Sequence, residues 1–362
     1  MRTVLLVVAS LVACRPPEPL RLGITVSADG IEAAALAVEE INAAGGIGGR
    51  PLELVSIPFR NGSAGTAIAT AERLAADPSI LAVIGHSNSA TSLAAAQIYN
   101  AQGLPQIAPV ATSPLFALAG RYSFRLVPDD RLQAKFMAER ALEDPAVRRV
   151  AILYVNDDYG RGLYGELRRR LVEGGVDVVY EAPYLEGAAP DQLDSGAREV
   201  IGARPQMLFW LGRFAELRRV LPPLRAGLPD LAILASDGLE AGLTDGHPDS
   251  LAVGIRVVRF IDPEDPDPRL QAFRERFRDR TGRDVYAGAV LTYDAVGLLA
   301  EAMRSGARSR EAIREYLSVL GRYRPPYAGI SGPIAFDEEG TAMRSLQLAE
   351  VTPTGLRRVP VR

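Results

Sequence analysis

From residue 20 onward, the chain alternates short aliphatic and β-branched runs with longer stretches of helical periodicity. Strands linked through helices run parallel, and a parallel sheet needs helices on both faces, so this rhythm restricts the chain to an α/β fold. Residues 20–26 read as a strand. In 31–42, Ile31, Ala34, Val38 and Ile41 share one helical face, and Gly45-Gly46 ends the helix. Strand 52–57, helix 64–76, strand 81–84, helix 90–101 and strand 106–109 follow. The rhythm restarts with strands at 149–155, 176–180, 207–211 and 231–235, separated by helices at 162–172, 192–201 and 214–224. A strand over 253–260, helices near 268–280, 287–304 and 310–320, and strands at 330–336 and 345–351 complete the pattern. Two similar halves, each too small to be the whole, predict two Rossmann-like doubly wound lobes.

The chain ahead of this pattern has a different character. Met1-Arg2 carries one positive charge, and 4–12 is almost wholly apolar. That run falls short of the ~20 residues that span a bilayer but suits the core of an export signal. Leu11-Val12-Ala13-Cys14 resembles the lipobox of bacterial lipoproteins, so 1–14 reads as a lipoprotein signal peptide with Cys14 lipidated. Residues 15–19, Arg-Pro-Pro-Glu-Pro, suit neither helix nor central strand and read as a tether. The expected location is the periplasm or the cell surface, anchored to a membrane through the lipid. Cys14 is the only cysteine, which excludes an internal disulfide, and His86 and His247 are the only histidines, with no ligand-spaced cluster around them. No metal and no cofactor are expected. Net charge is −3 with Arg and acidic residues interspersed, so no basic footprint for nucleic acid exists.

Open parallel sheets bind ligands beyond the carboxyl ends of their strands, which selects the loops to read. In the first half these are Ser27-Ala28-Asp29, Asn61-Gly62-Ser63, His86-Ser87-Asn88-Ser89 and Val110-Ala111-Thr112-Ser113. In the second half they are Asn156-Asp157-Asp158-Tyr159, Gly212-Arg213 and Ser236-Asp237-Gly238. The sharpest is Gly85 through Ser92, where hydroxyls and free N–H groups gather at a helix N-terminus, a receptor for a carboxylate. Ordinary N-capping explains one such hydroxyl but hardly all of them. Asp237 could pair with a ligand ammonium or merely shape an Asp-Gly turn. Tyr159 could lay its ring on a ligand or pack its loop, and Arg213 could clamp a carboxylate or sit solvated at a helix start. A rival class also fits part of this segment. Gly85-His86-Ser87-Asn88-Ser89 nearly spells a nucleophile elbow, with Asp237 and His247 following in hydrolase order, though Ser89 stands where the motif has Gly.

Several segments, taken in order, resemble the type I periplasmic solute-binding proteins of the branched-chain amino acid (Leu/Ile/Val-binding) group. They are 37–49 (AVEEINAAGGIGG), 82–89 (AVIGHSNS), 105–114 (PQIAPVATSP), Phe124-Arg125, 159–163 (YGRGL), Gly332-Pro333 and 336–340. The resemblance covers nearly all of 20–350. It implies a non-enzyme that delivers a solute to an ABC permease after hinge closure. Ser87 lies within the matched segment. Ser89 and Thr112, with the backbone at Val110, would bind an α-carboxylate; Tyr159 would cover the ligand; Asp237 would take the ammonium. It also implies a hinge crossed near Arg125, Arg256 and Ser331. The lobes would then be 20–124 plus 257–330 and 125–256 plus 331–362. Two departures bear on the ligand. The loop after the first strand is short, running from Val26 almost straight into a helix, and Arg213 stands where aromatic residues are common. The ligand is thereby left open between a branched-chain amino acid and a more acidic or larger solute. A lipoprotein scaffold that keeps the fold without transport is a further rival.

Overall fold

The structure is a computed structural model that describes residues 17–57, 63–243 and 249–360. Cys14, Asn61-Gly62 and His247 lie outside the described residues. The first sheet contains β1 (Leu20–Thr25), β2 (Leu52–Ser56), β3 (Ile80–Gly85), β4 (Gln106–Ala108) and β5 (Ser123–Arg125). All are parallel, in the order β2-β1-β3-β4-β5. Helices α1 (Ala28–Ala43), α2 (Ala64–Ala76) and α3 (Ser89–Ala101) alternate with the first four strands. Each starts at a side-chain cap: Ser27, Ser63 and Asn88 accept from the N–H group three residues on, satisfying donors that the helix itself leaves open.

Helix α4 (Asp130–Leu142) leads into the second sheet. Its parallel part contains β6 (Arg149–Val155), β7 (Asp177–Tyr184), β8 (Met207–Leu211), β9 (Ala232–Ala235) and β10 (Arg256–Arg259), ordered β7-β6-β8-β9-β10. Helices α5 (Asp158–Glu173), α6 (Pro190–Ala203), α7 (Phe214–Gly227) and the short α8 (Glu240–Leu243) fall between these strands. The chain then returns to the first core through α9 (Pro268–Thr281), α10 (Ala287–Arg304) and α11 (Arg310–Ser318). It makes a small hairpin of β11 (Tyr327–Gly329) and β12 (Gly332–Ile334). Antiparallel β13 (Gln347–Thr352) and β14 (Gly355–Val359) close the second sheet on the β10 side.

Two large apolar cores result, one per sheet. Helix α10 is buried on nearly every side, with Val290, Leu291, Val296 and Leu299 fully enclosed, which explains its apolar sequence. In both sheets the strand order reverses beside the first strand, at β1/β3 and at β6/β8. Crevices at such reversals are where doubly wound sheets hold ligands.

Three details differ from the sequence expectations. Residues 330–336 are not one strand. Asp294 on α10 accepts the N–H groups of Ile330 and Ser331, and the chain turns into the hairpin instead. The last change of core comes later than Ser331: Ile334, Phe336 and Ala342 pack in the first core and Leu348 in the second, with the Phe336 ring 5.2 Å from that of Phe124. The other changes fall between Val127 and Ala134 and between Val258 and Phe260. Helix α4 and strand β14 are elements that the sequence pattern did not announce.

Candidate functional site

A cavity of about 410 Å³ opens between the two cores at the carboxyl ends of their strands. That volume falls within the range of small-molecule sites, roughly 300–1,000 Å³. The first lobe lines it with Ser27 after β1, His86 through Ser89 after β3, and Pro109-Val110 after β4. The second lobe supplies Tyr159 after β6, Arg213 after β8 and Asp237 after β9. Both strand-order reversals therefore face one space. Gly85 makes the turn into it: its φ is +150°, and a Cβ there would lie 2.7 Å from the Thr25 carbonyl oxygen, so only glycine fits.

Ser89, at the start of α3, is almost fully buried, and its Oγ accepts from the N–H groups of Thr112 (3.2 Å) and Ser113 (3.1 Å). Those two bonds fasten the loop after β4 against the helix and leave the Ser89 hydroxyl proton for another acceptor. Opposite, Asp237 Oδ1 is saturated by two donors, Tyr159 Oη at 2.7 Å and Gln133 Nε2 at 2.9 Å. Among the described residues nothing donates to Asp237 Oδ2. Burial pushes the Asp237 carboxyl up to about 6, against the opposing effect of its two hydrogen bonds. The other lining charges are matched: Asp29 with Arg283, Glu240 with Arg259 (2.5 Å), and Arg213 with Glu186 (3.1 Å) and Asp157 (3.5 Å). Asp237 is thus the lining carboxylate whose hydrogen-bond partners are neutral side chains. The arrangement can accept a cation on one wall and an anion at the N-terminus of α3 on the other.

Of the seven positions singled out in the sequence, Ser87, Ser89, Val110, Tyr159, Arg213 and Asp237 line the cavity. Thr112 does not. Its N–H is held by Ser89, its carbonyl accepts from Asp130 N–H (2.9 Å) and Arg125 Nη1 (3.3 Å), and these bonds turn it inward. Among the described residues Ser87 Oγ has no hydrogen-bond partner, and His86 Nε2 lies 3.2 Å from Tyr99 Oη, with burial pushing the imidazole down to about 3. Asp29, from the loop after β1 that the strand-end rule selects, also lines the cavity, as do Glu240, Arg283 and Tyr286, which sequence reasoning did not single out. Tyr286 and Arg283 precede α10, on the excursion back to the first core, so no strand end pointed to them. The clue available was the short loop after β1, since Tyr286 Oη bonds Ser27 Oγ at 2.7 Å in the space beside it.

A family model described as periplasmic binding protein matches residues 23–355. The chain is 25% identical over 314 residues to a Leu/Ile/Val-binding protein homolog 1 of Brucella abortus (strain 2308), covering 84% of this chain and 80% of that protein. It is 28% identical over 316 residues to a leucine-specific-binding protein of Salmonella typhimurium, at the same two coverages. A solved ABC transporter substrate-binding protein from Desulfitobacterium hafniense, in complex with Leu, has a TM-score of 0.79 to this structure. The two are 27% identical, over 95% of this chain and 100% of that chain.

Proposed function

The chain belongs to the periplasmic binding protein family, and from that premise we propose that it binds an amino acid or a related small acid between its two lobes. The observation that carries this is the pairing across one cavity of Asp237, with Oδ2 open, and the start of α3, with the Ser89 hydroxyl proton available. A zwitterion presents an ammonium and a carboxylate on neighbouring atoms and answers both walls at once. Because the walls belong to different lobes, only the closed arrangement satisfies both ends of the ligand, and binding favours closure by that differential affinity. The printed names of the Brucella and Salmonella relatives support the amino-acid class. The Arg213 and Arg283 ion pairs that line the cavity favour a ligand whose remaining atoms are partly polar.

The wider proposal is that the protein is exported, anchored through Cys14, and hands its solute to the membrane subunits of an ABC permease. Among the described residues no helix is long and apolar enough to cross a membrane, so in this proposal the membrane tie comes from the lipid. Among the described residues Ser87 Oγ has no hydrogen-bond partner and His86 is engaged by Tyr99, so the described part of the site adds no support to the hydrolase alternative. The test is a thermal-shift screen of the common amino acids and small carboxylates. A true ligand at about 100 times its dissociation constant adds roughly 2.7 kcal/mol to the folded state. No shift with any compound sinks the proposed ligand class.

A further inference from the structure

Gln133 does not line the cavity, yet it makes two hydrogen bonds to the residue on which ligand binding turns. The residue is fully buried on α4. Its side-chain Nε2 donates to Asp237 Oδ1 at 2.9 Å, while its Oε1 accepts the main-chain N–H of Asp237 at 3.0 Å. One amide therefore grips both the carboxylate and the backbone that bears it, which leaves the Asp237 side chain little freedom to rotate. Tyr159 Oη completes the coordination of the same oxygen.

The helix that carries Gln133 is itself pinned. Asp129 Oδ1 accepts the N–H groups of Arg131 (2.9 Å) and Leu132 (3.3 Å), and Arg125 Nη2 lies 3.6 Å from Asp129 Oδ2. Arg125, also buried, reaches Ser113 O at 2.8 Å and Thr341 Oγ1 at 2.8 Å. Ser113 N–H rests on Ser89. A continuous buried chain of contacts thus runs from Ser89 in one lobe, through the segments that cross between lobes, to Asp237 in the other.

We propose that Gln133 is the positioning residue that holds Asp237 Oδ1 and so aims Oδ2 into the cavity. The proposal rests on the reading of Asp237 as the receptor for a ligand ammonium. A glutamine that merely filled space or satisfied a backbone N–H would leave the acidity of Asp237 untouched. The ionisable groups facing that carboxyl are Tyr159 from α5, Asp130 from α4, Glu240 from α8 and Arg213 from the start of α7. None of them changes in the variants below.

The test uses the full chain labelled with 13C at the aspartate carboxyl, its Asp237 signal identified by its loss in Asp237→Asn, titrated without ligand. Gln133→Met removes one donor from the ionised form, and the Asp237 midpoint should rise by about one pH unit. Gln133→Glu keeps the acceptor for the Asp237 N–H but replaces the donor by a second acid, and should raise the midpoint at least as far. Circular dichroism establishes that each variant is folded, and the Glu variant serves if the Met variant is not. Lys135→Ala, on the exposed side of the same helix, should leave the midpoint unchanged. Midpoints in both Gln133 variants equal to that of wild type would overturn the proposal. Calorimetry with L-leucine at pH 5.5 and 7.5 then separates the two ideas. Absence of binding to wild type counts against L-leucine as the ligand alone, because the ligand-free titration stands without it.

Discussion

At the scale of single residues, Asp237 sets up an opposition between binding and stability. Its carboxyl is partly buried at the cavity wall and is raised to about 6, whereas an unfolded aspartate titrates near 3.8. The native state therefore holds this proton more tightly than the unfolded chain, so its contribution to stability falls as pH rises from about 4 to 6. Ligand affinity must move the other way, because an ammonium needs the ionised form. We expect affinity for an amino acid to weaken as pH drops through 6, and calorimetry across that range checks it. Asp237→Asn removes the buried charge while keeping an oxygen for Tyr159 and Gln133. It should gain about 1–2 kcal/mol in urea melts at pH 7.5 and weaken an amine ligand by about 10- to 100-fold. A variant that loses stability and keeps affinity would contradict the role assigned to this carboxylate.

At the scale of elements, the start of α3 and the loop after β4 form one unit held by Ser89. Ser89→Ala leaves the buried N–H groups of Thr112 and Ser113 without acceptors, which should cost about 1–3 kcal/mol by urea denaturation. Ser87→Ala removes a hydroxyl that bonds nothing among the described residues and should change stability by less than about 0.5 kcal/mol. An equal loss in both would mean that the loop is held by something else. The same elements show what was legible in the sequence. Strands β1, β3, β6 and β8 are mostly apolar runs ending in polar loops, so both the fold class and six cavity positions could be read from period and position. Helix α4 could not. Its buried face is Gln133, Ala134, Met137, Ala138 and Ala141, mostly small side chains, while the larger Leu132 and Leu142 are exposed off that face, so the apolar period is weak. Gln133 was hidden with it. Thr112 lies off the cavity lining because sequence shows which loop it occupies and not which way the loop turns once Ser89 and Arg125 bind its backbone.

For the whole molecule, the consequence of two cores is that cooperativity depends on the cleft. Each lobe has its own sheet and its own enclosed apolar cluster, and the chain passes between the cores in three short segments. Arg125 to Thr341 and Arg344 to Leu126 O (2.7 Å) tie the first crossing to the last, and Arg344 also reaches Ser331 O (2.8 Å) in the hairpin that precedes it. They brace the hinge without merging the cores. Two units of this kind can melt separately when nothing spans the gap. A ligand held by Ser89 on one side and Asp237 on the other binds only when both lobes are folded, so it stabilises the pair as a unit. In scanning calorimetry the ligand-free protein should therefore unfold with a van't Hoff enthalpy below the calorimetric one. Saturating ligand should bring the two together while raising the midpoint. A ratio of one without ligand would mean that the hinge braces alone couple the lobes. In that case Arg344→Met, which removes the bonds from the last crossing segment to Leu126 and Ser331, should lower the ratio where Asp237→Asn leaves it unchanged.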